Sequence, residues 1–296
     1  MRIATKSQSR AVINGKEFAK LEINAHSIKR MLHDEGIDMV GIADAAKMIC
    51  AQPPRPATAL MPTARSVIVM AVPHSMGAVC SPHIKLWTRN KMQTSRLLDS
   101  VSEKLSRLLE RNGYLTLPVS ADKPVEIHKI NPDTGKKFPH TKVIGHLSLK
   151  HAAVSAGMGQ IGRSNLLLTE RFGPHQRLGG IITEAELEPD SFRDLKLCRN
   201  CNKCETSCPV GALKDGKYDV DPCFNYWTYG FDRLPPRKLR EIPGYIKMLM
   251  RHWKSRDILI EYGQTMITDV DFCIECMKAC PVGSEWKRIR PSTTKI

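Results

Sequence analysis

The residues best equipped for chemistry are thiols. Cys198, Cys201, Cys204 and Cys208 follow one another at x2, x2 and x3 spacing, with Pro209 next. Three thiolates so spaced hold one [4Fe–4S] cluster, and the fourth, just before proline, ligates a second. A shorter run repeats the theme at Cys273, Cys276, Cys280 and Pro281. The two runs supply four and three thiols, one short of what two such clusters need. Cys223, in Asp221-Pro222-Cys223-Phe224-Asn225-Tyr226-Trp227, is the candidate for the missing ligand. Crossing then assigns Cys198, Cys201, Cys204 and Cys280 to one cluster, and Cys208, Cys223, Cys273 and Cys276 to the other. Chemistry of this kind moves electrons.

Zinc is the alternative occupant, because C-x2-C pairs also make four-cysteine sites. A zinc ribbon uses two separated pairs, which leaves the third cysteine at x2, the fourth at x3 and the repeated Cys-Pro unexplained. A disulfide framework belongs to short extracellular domains. Cys50 and Cys80 fall outside both runs and read as buried apolar thiols.

The elements that must position these thiols come before them. Asn24 to His33 reads as a capped amphipathic helix stopped near Gly36, and Asp38 to Ala43 as a strand. Residues 51–64, rich in Pro and Ala, read as loop. Ser66 to Val72 is the clearest buried strand. Leu97 to Leu109 repeats apolar residues at helical spacing, with Asn112-Gly113 as its stop, and Leu115 to Val119 follows as a strand. Residues 122–142 read as an excursion from the fold, a candidate lid, and 149–183 as a further helix–strand unit. The alternation predicts α/β layers up to residue 190 and cysteine-rich loops beyond it.

Gly157-Met158-Gly159-Gln160-Ile161-Gly162 matches G-x-G-x-x-G. A dinucleotide site needs a strand before that loop and a helix after it. Here His151 to Ala156 reads as helix and Asn165 to Thr169 as strand, the reverse order. The glycines instead predict backbone lying close against another body, either a flat cofactor or a packed element.

At 296 residues and 42 % hydrophobic content the chain can fill more than one core. No apolar run nears the ~20 residues that span a bilayer. Met1 to Lys6 shows no apolar h-region and no Arg-Arg pair occurs, so a soluble cytoplasmic protein is expected. The formal charge of +15 falls to roughly +11 once two clusters of about −2 each are counted. Arg233, Arg237, Lys238, Arg240, Lys247, Arg251, Lys254 and Arg256 form a basic stretch suited to an acidic electron donor, an anionic substrate or RNA, or to nothing beyond solvation.

Lys150-His151-Ala152-Ala153-Val154-Ser155-Ala156 with the glycine loop, Arg163-Ser164-Asn165, Arg177-Leu178, Leu187-Glu188-Pro189-Asp190 and both cysteine runs resemble epoxyqueuosine reductases and reductive dehalogenases. Cys223-Phe224-Asn225-Tyr226-Trp227 is closer to the dehalogenase version. The likeness is strong over residues 140–230 and 271–282. It implies an N-terminal α/β (α+β) cobalamin-type domain, residues 1–190, and a C-terminal double-cluster ferredoxin-like domain, residues 191–296. It further implies two [4Fe–4S] clusters and a base-off cobalamin held between the domains. Electrons pass from an outer cluster to an inner one, held by Cys208, Cys223, Cys273 and Cys276, and on to cobalt. Gly157, Met158, Gly159, Gly162, Asn225, Ile274 and Glu275 would line the corrinoid.

The expected activity is an iron–sulfur oxidoreductase that reductively cleaves a carbon–halogen or carbon–oxygen bond in a small or nucleoside-like substrate. A ferredoxin- or flavodoxin-like low-potential donor would feed it. Two alternatives stand beside that reading: a non-catalytic two-cluster carrier without corrinoid, and a tRNA epoxyqueuosine reductase. The latter enzymes place an acidic proton donor where ungapped counting puts Val143. A donor should be a titratable group near the cofactor, and Tyr226, His146, Lys150 and His151 are the candidates, with Tyr229 after them.

Overall fold

The structure is a computed structural model that describes residues 12–13, 16–17, 23–48, 56–121, 125–130, 137–145, 147–220, 222–223, 226, 258–261, 264–267 and 273–289. Two short strands, β1 (Val12–Ile13) and β2 (Lys16–Glu17), pair at the start. Helix α1 (Ala25–Asp34) follows. Asn24 caps it: its Oδ1 accepts from Ser27 N at 2.9 Å, and Ser27 Oγ in turn accepts from Asn24 N at 3.2 Å. This reciprocal pairing satisfies two orphan donors of the first turn. Beyond the helix Gly36 turns the chain at φ +85°, where a side chain would be strained.

Strand β3 (Met39–Asp44), the short helix α2 (Ala57–Leu60) and strand β4 (Ser66–Pro73) come next. The helical turn α2 lies inside the segment read as loop. From Val67 to Val72 strand β4 is wholly buried because both its faces are covered. Val67, Val69 and Ala71 join one apolar cluster while Ile68, Met70 and Val72 join another. That split is the period-2 alternation of a central strand.

After α3 (Met76–Cys80), helix α4 runs from Ile84 to Arg111, twice the length its apolar pattern indicates. The reason is chemical. Its first half buries Thr88, Lys91, Thr94 and Ser95 beside Trp87, so the inward face carries polar side chains and the apolar repeat begins only at Leu98. Strand β5 (Thr116–Val119) and the hairpin of β6 (Val125–Ile130) with β7 (Lys137–Gly145) follow, so the excursion is a β-ribbon. Helix α5 (Leu149–Ser155), the short pair β8 (Gln160–Ile161) and β9 (Leu167–Leu168), and strand β10 (Gln176–Thr183) complete the lobe.

The main sheet has the order β3-β4-β10-β5 and is antiparallel throughout. The lobe is therefore of α+β character. Helices α1 and α4 cover one face through Ile28, Leu32, Leu98, Leu105 and Leu109, and α5 with Met158 and Leu167 covers the other. Each fully buried Leu or Ile contributes roughly 1.5–3 kcal/mol. The second lobe holds α6 (Lys203–Thr206), the hairpin β11 (Leu213–Lys214) and β12 (Lys217–Tyr218), and two short helices, Glu275–Ala279 and Ser284–Ile289. A further hairpin, β13 (Ile258–Glu261) with β14 (Gln264–Ile267), lies between its cysteines in sequence. No described helix is long and apolar enough to cross a membrane. The basic stretch from Arg233 to Arg256, and Cys50, lie outside the described residues.

Candidate functional site

The chain leaves β10 as an extended strap tied to the sheet. Leu187 N donates to Ser66 Oγ at 3.1 Å, Asp190 N donates to Ile42 O at 2.8 Å, and Asp190 Oδ2 accepts from Ile42 N at 2.8 Å. Lys29 pairs with the same carboxylate. At the end of the strap Gln160, in the glycine loop, presents one side-chain oxygen to two donors, Leu197 N at 2.8 Å and Cys198 N at 3.1 Å. The first thiol is thus placed by the sheet lobe. Asn200 and Asn202 adopt left-handed φ of 51° and 57°, which curls the backbone between Cys198, Cys201 and Cys204. Asn tolerates that region better than other side chains do.

The thiols lie near enough to shift one another. Cys280 lies within electrostatic reach of Cys201, Cys204 and Cys198, and Cys204 within reach of Cys198. Cys273 and Cys276 both lie within reach of Cys223 and Cys208. These neighbours run along the sets that crossing assigns, but Cys276 is also within reach of Cys204, which belongs to the other set. Burial pushes the Cys273 and Cys280 thiols up to about 11 and Cys276 up to about 12, and each thiol raises its neighbours further. Such groups stay protonated unless cationic metal is brought among them, when a coordinating thiol loses its proton. Among the described residues no three His, Cys, Asp or Glu side chains close on one point as the ligands of a single ion do. A four-iron cube holds its thiolates on separate corners.

Between the lobes lies a cleft of about 570 Å³, lined by Gln160, Ile161, Gly162, Arg163, Asn165, Cys198, Asn200, Gly216 and Tyr218. The size suits a small-molecule site, and the wall is more polar than most. Arg163 spans it to Glu205, Nε to Oε1 at 2.9 Å and Nη2 to Oε1 at 2.6 Å. Gly216 N donates to the same oxygen at 2.9 Å. That backbone donor first, then Arg163, hold the Glu205 carboxyl below its usual range. Burial, followed by the Cys223 charge, raises the Tyr218 phenol above the ordinary value.

A second junction joins the lobes backbone to backbone. Gly173 (φ +58°) and Gly283 (φ +114°) abut, and a Cβ on Gly173 would stand 1.9 Å from Val282 O. Ser284 N donates to Glu170 O at 2.9 Å, Glu285 N donates to Arg171 O at 3.0 Å, and Arg171 pairs with Glu285 at 2.8 Å.

Of the residues expected to line a corrinoid, Gly162 stands in the cleft wall. Gly157 and Gly159 are engaged in packing: a Cβ would lie 2.3 Å from Ser191 O and 2.2 Å from Leu168 O respectively. Met158 is buried against the sheet. Ile274 is buried with Val79 and Trp87, half-buried Cys80 packs on the same cluster, and Glu275 lies 3.7 Å from Lys278. Asn225 and His146 lie outside the described residues. Lys150 Nζ donates to Asn165 O at 2.6 Å, which holds one residue of the wall. The His151 ring bonds Ser148 Oγ at 2.6 Å, and burial, then Lys150, lower its pKa. Tyr226 is half-buried. Gln160, Arg163 and Tyr218 were not foreseen. The first two sit in or beside the glycine loop, a signal that was available; nothing in the sequence marks Tyr218.

The 4Fe-4S binding domain family matches residues 192–214, which carry the first cysteine run. The chain is 28 % identical over 190 residues to a tetrachloroethene reductive dehalogenase of Desulfitobacterium hafniense, covering 56 % of this chain and 30 % of that protein. It is 38 % identical over 99 residues to an epoxyqueuosine reductase of Listeria monocytogenes, covering 33 % of this chain and 26 % of that one. In fold it resembles an epoxyqueuosine reductase from Bacillus subtilis, with a TM-score of 0.51 at 18 % identity over 88 % of this chain and 66 % of the other. The chain is a relative of both kinds of reductase and spans about a third or less of the curated relatives' length.

Proposed function

We propose that the chain is an iron–sulfur reductase of the reductive dehalogenase and epoxyqueuosine reductase type. The observation that carries the reading is the nearness of cysteines from both runs to one another beside a polar cleft, which supports two companies of four. Cys198, Cys201, Cys204 and Cys280 would hold one [4Fe–4S] cluster, and Cys208, Cys223, Cys273 and Cys276 the other. The donor set fits: all thiol, pre-gathered, and partly buried. A corrinoid would be held at the polar rim of the cleft, where Asn165 and Asn200 could meet its peripheral amides. When bound, these groups supply low-potential electrons and a reduced cobalt able to cleave a carbon–halogen or carbon–oxygen bond reductively.

The chain's own residues set the stage for that chemistry. Cys201 is exposed, so its company faces the side on which a ferredoxin- or flavodoxin-like donor would dock. Gln160 fixes the entry of the first thiol loop, and the Arg163–Glu205 pair braces the wall. His151 has a lowered pKa and is neutral near pH 7, so it accepts a hydrogen bond more readily than it gives a proton. Lys150 is occupied with Asn165. Tyr226 and His146 are therefore the proton donors to test first. The substrate would be a small molecule or a nucleoside-like group.

Anaerobic purification with hydroxocobalamin supplied tests the reading. About eight irons and one cobalt per chain are expected. Full iron without cobalt would reduce the protein to an electron carrier, and zinc in the thiol sites would overturn the proposal.

A further inference from the structure

Gln160 stands on the two-residue strand β8, where it pairs with Leu168 of β9. The backbone on either side has no slack: a Cβ on Gly159 would lie 2.2 Å from Leu168 O, and Gly162 N donates to Leu166 O at 3.0 Å. From this fixed base one side-chain oxygen accepts from Leu197 N at 2.8 Å and from Cys198 N at 3.1 Å. Two donors on one side settle the orientation of the amide, oxygen toward the thiol loop. Gln160 and Cys198 both line the cleft.

Without that oxygen, two amides at the root of a ligating thiol could turn their N–H groups toward the sulfurs of a cluster. A bond of that kind forms at Cys208, whose Sγ accepts from Ala212 N at 3.3 Å. Hydrogen bonds to cluster sulfurs favour the state with the extra electron and so raise the potential. Gln160 acts the other way, engaging both donors and adding the negative end of its own carbonyl dipole. We propose that Gln160 is a positioning residue that lowers the reduction potential of the centre built on Cys198, Cys201 and Cys204, by keeping the Leu197 and Cys198 N–H groups on its side-chain oxygen. The inference rests on the cluster reading of the first cysteine run. No covalent bond forms or breaks: each reduction adds one electron from the external low-potential donor, and Gln160 exchanges no proton.

The test is an EPR-monitored redox titration of the anaerobic holoprotein beside Gln160→Leu and Gln160→Glu, with iron measured on each. Gln160→Leu frees both amides, so one midpoint should rise by about 59 mV, a tenfold change for a one-electron couple, while the other holds. Gln160→Glu keeps an acceptor of the same reach and adds negative charge, so the same midpoint should fall. Unmoved midpoints, or shifts of the opposite sign, in variants with full iron overturn the proposal. Should the leucine variant lose its cluster, the glutamate variant decides alone: an unchanged midpoint there reduces Gln160 to a brace for the loop and overturns its redox role. A wild-type protein with no cluster on the first run overturns the cluster reading and this inference together.

Discussion

The sheet lobe and the thiol lobe are held together by different physics. In the first, a fully buried central strand and two helical faces exclude water from a broad apolar core. In the second, only Ala212, Leu213, Ile274, Ala279, Cys280 and Gly283 are buried among the described residues, and the backbone is mostly coil. Its order comes from outside: the Gln160 oxygen, the Arg163–Glu205 pair and the paired glycines. Apolar area supports one lobe; the other needs its neighbour and, on the proposal above, its metal. A stability measured for the whole chain would therefore average two unlike quantities.

The sharpest way to break this contrast is to remove the iron. Binding energy of a metal is folding energy for a lobe that lacks its own core. Chelation under reducing conditions should raise proteolytic cutting within 191–220 by about two orders of magnitude or more, while 56–121 stays protected. Equal protection of both segments would show that the thiol lobe stands unaided.

Leu105→Ala attacks the other side. Leu105 is fully buried between α4 and the sheet. The cavity should cost about 2–5 kcal/mol, read as a lower denaturant midpoint by circular dichroism, with iron per folded chain unchanged. A smaller effect concerns acid. His74 is buried against Trp87, with ring centroids 4.6 Å apart, and burial, then Arg177, His175 and Lys91, push its pKa down to about 3. The unfolded chain takes up that proton near pH 6.5, so the unfolded state binds more protons between these values. Stability is complete above about 6.5 and is lost as pH falls toward 3, by about 3 kcal/mol at pH 4. His74→Phe should flatten that limb in urea titrations between pH 4 and 7; an unchanged slope would assign acid sensitivity to the thiol lobe.

What the sequence disclosed follows the same division. Strand β4 and the cap of α1 are legible because one apolar run and one Asn-x-x-Ser suffice to specify them. Cysteine spacing is legible because cluster geometry dictates it. The front of α4 was not, since Thr88, Lys91 and Ser95 break the apolar period that marks a buried face. Gly157 and Gly159 announced close contact but not with what, and their partners prove to be Ser191 and Leu168. Tyr218 resembles any exposed tyrosine until the hairpin register and its place in the cleft wall are known. Side chains that act across the fold leave little trace along the chain.

The meeting of Gly173 with Gly283 has a mechanical consequence. Main chain bears directly on main chain there, with no side-chain cushion that could compress or slide. Neither glycine there can take a side chain without pushing the two segments apart, so the joint holds them at one spacing. Parting the two segments at that seam would have to break the Ser284–Glu170 and Glu285–Arg171 backbone bonds and the Arg171–Glu285 pair together.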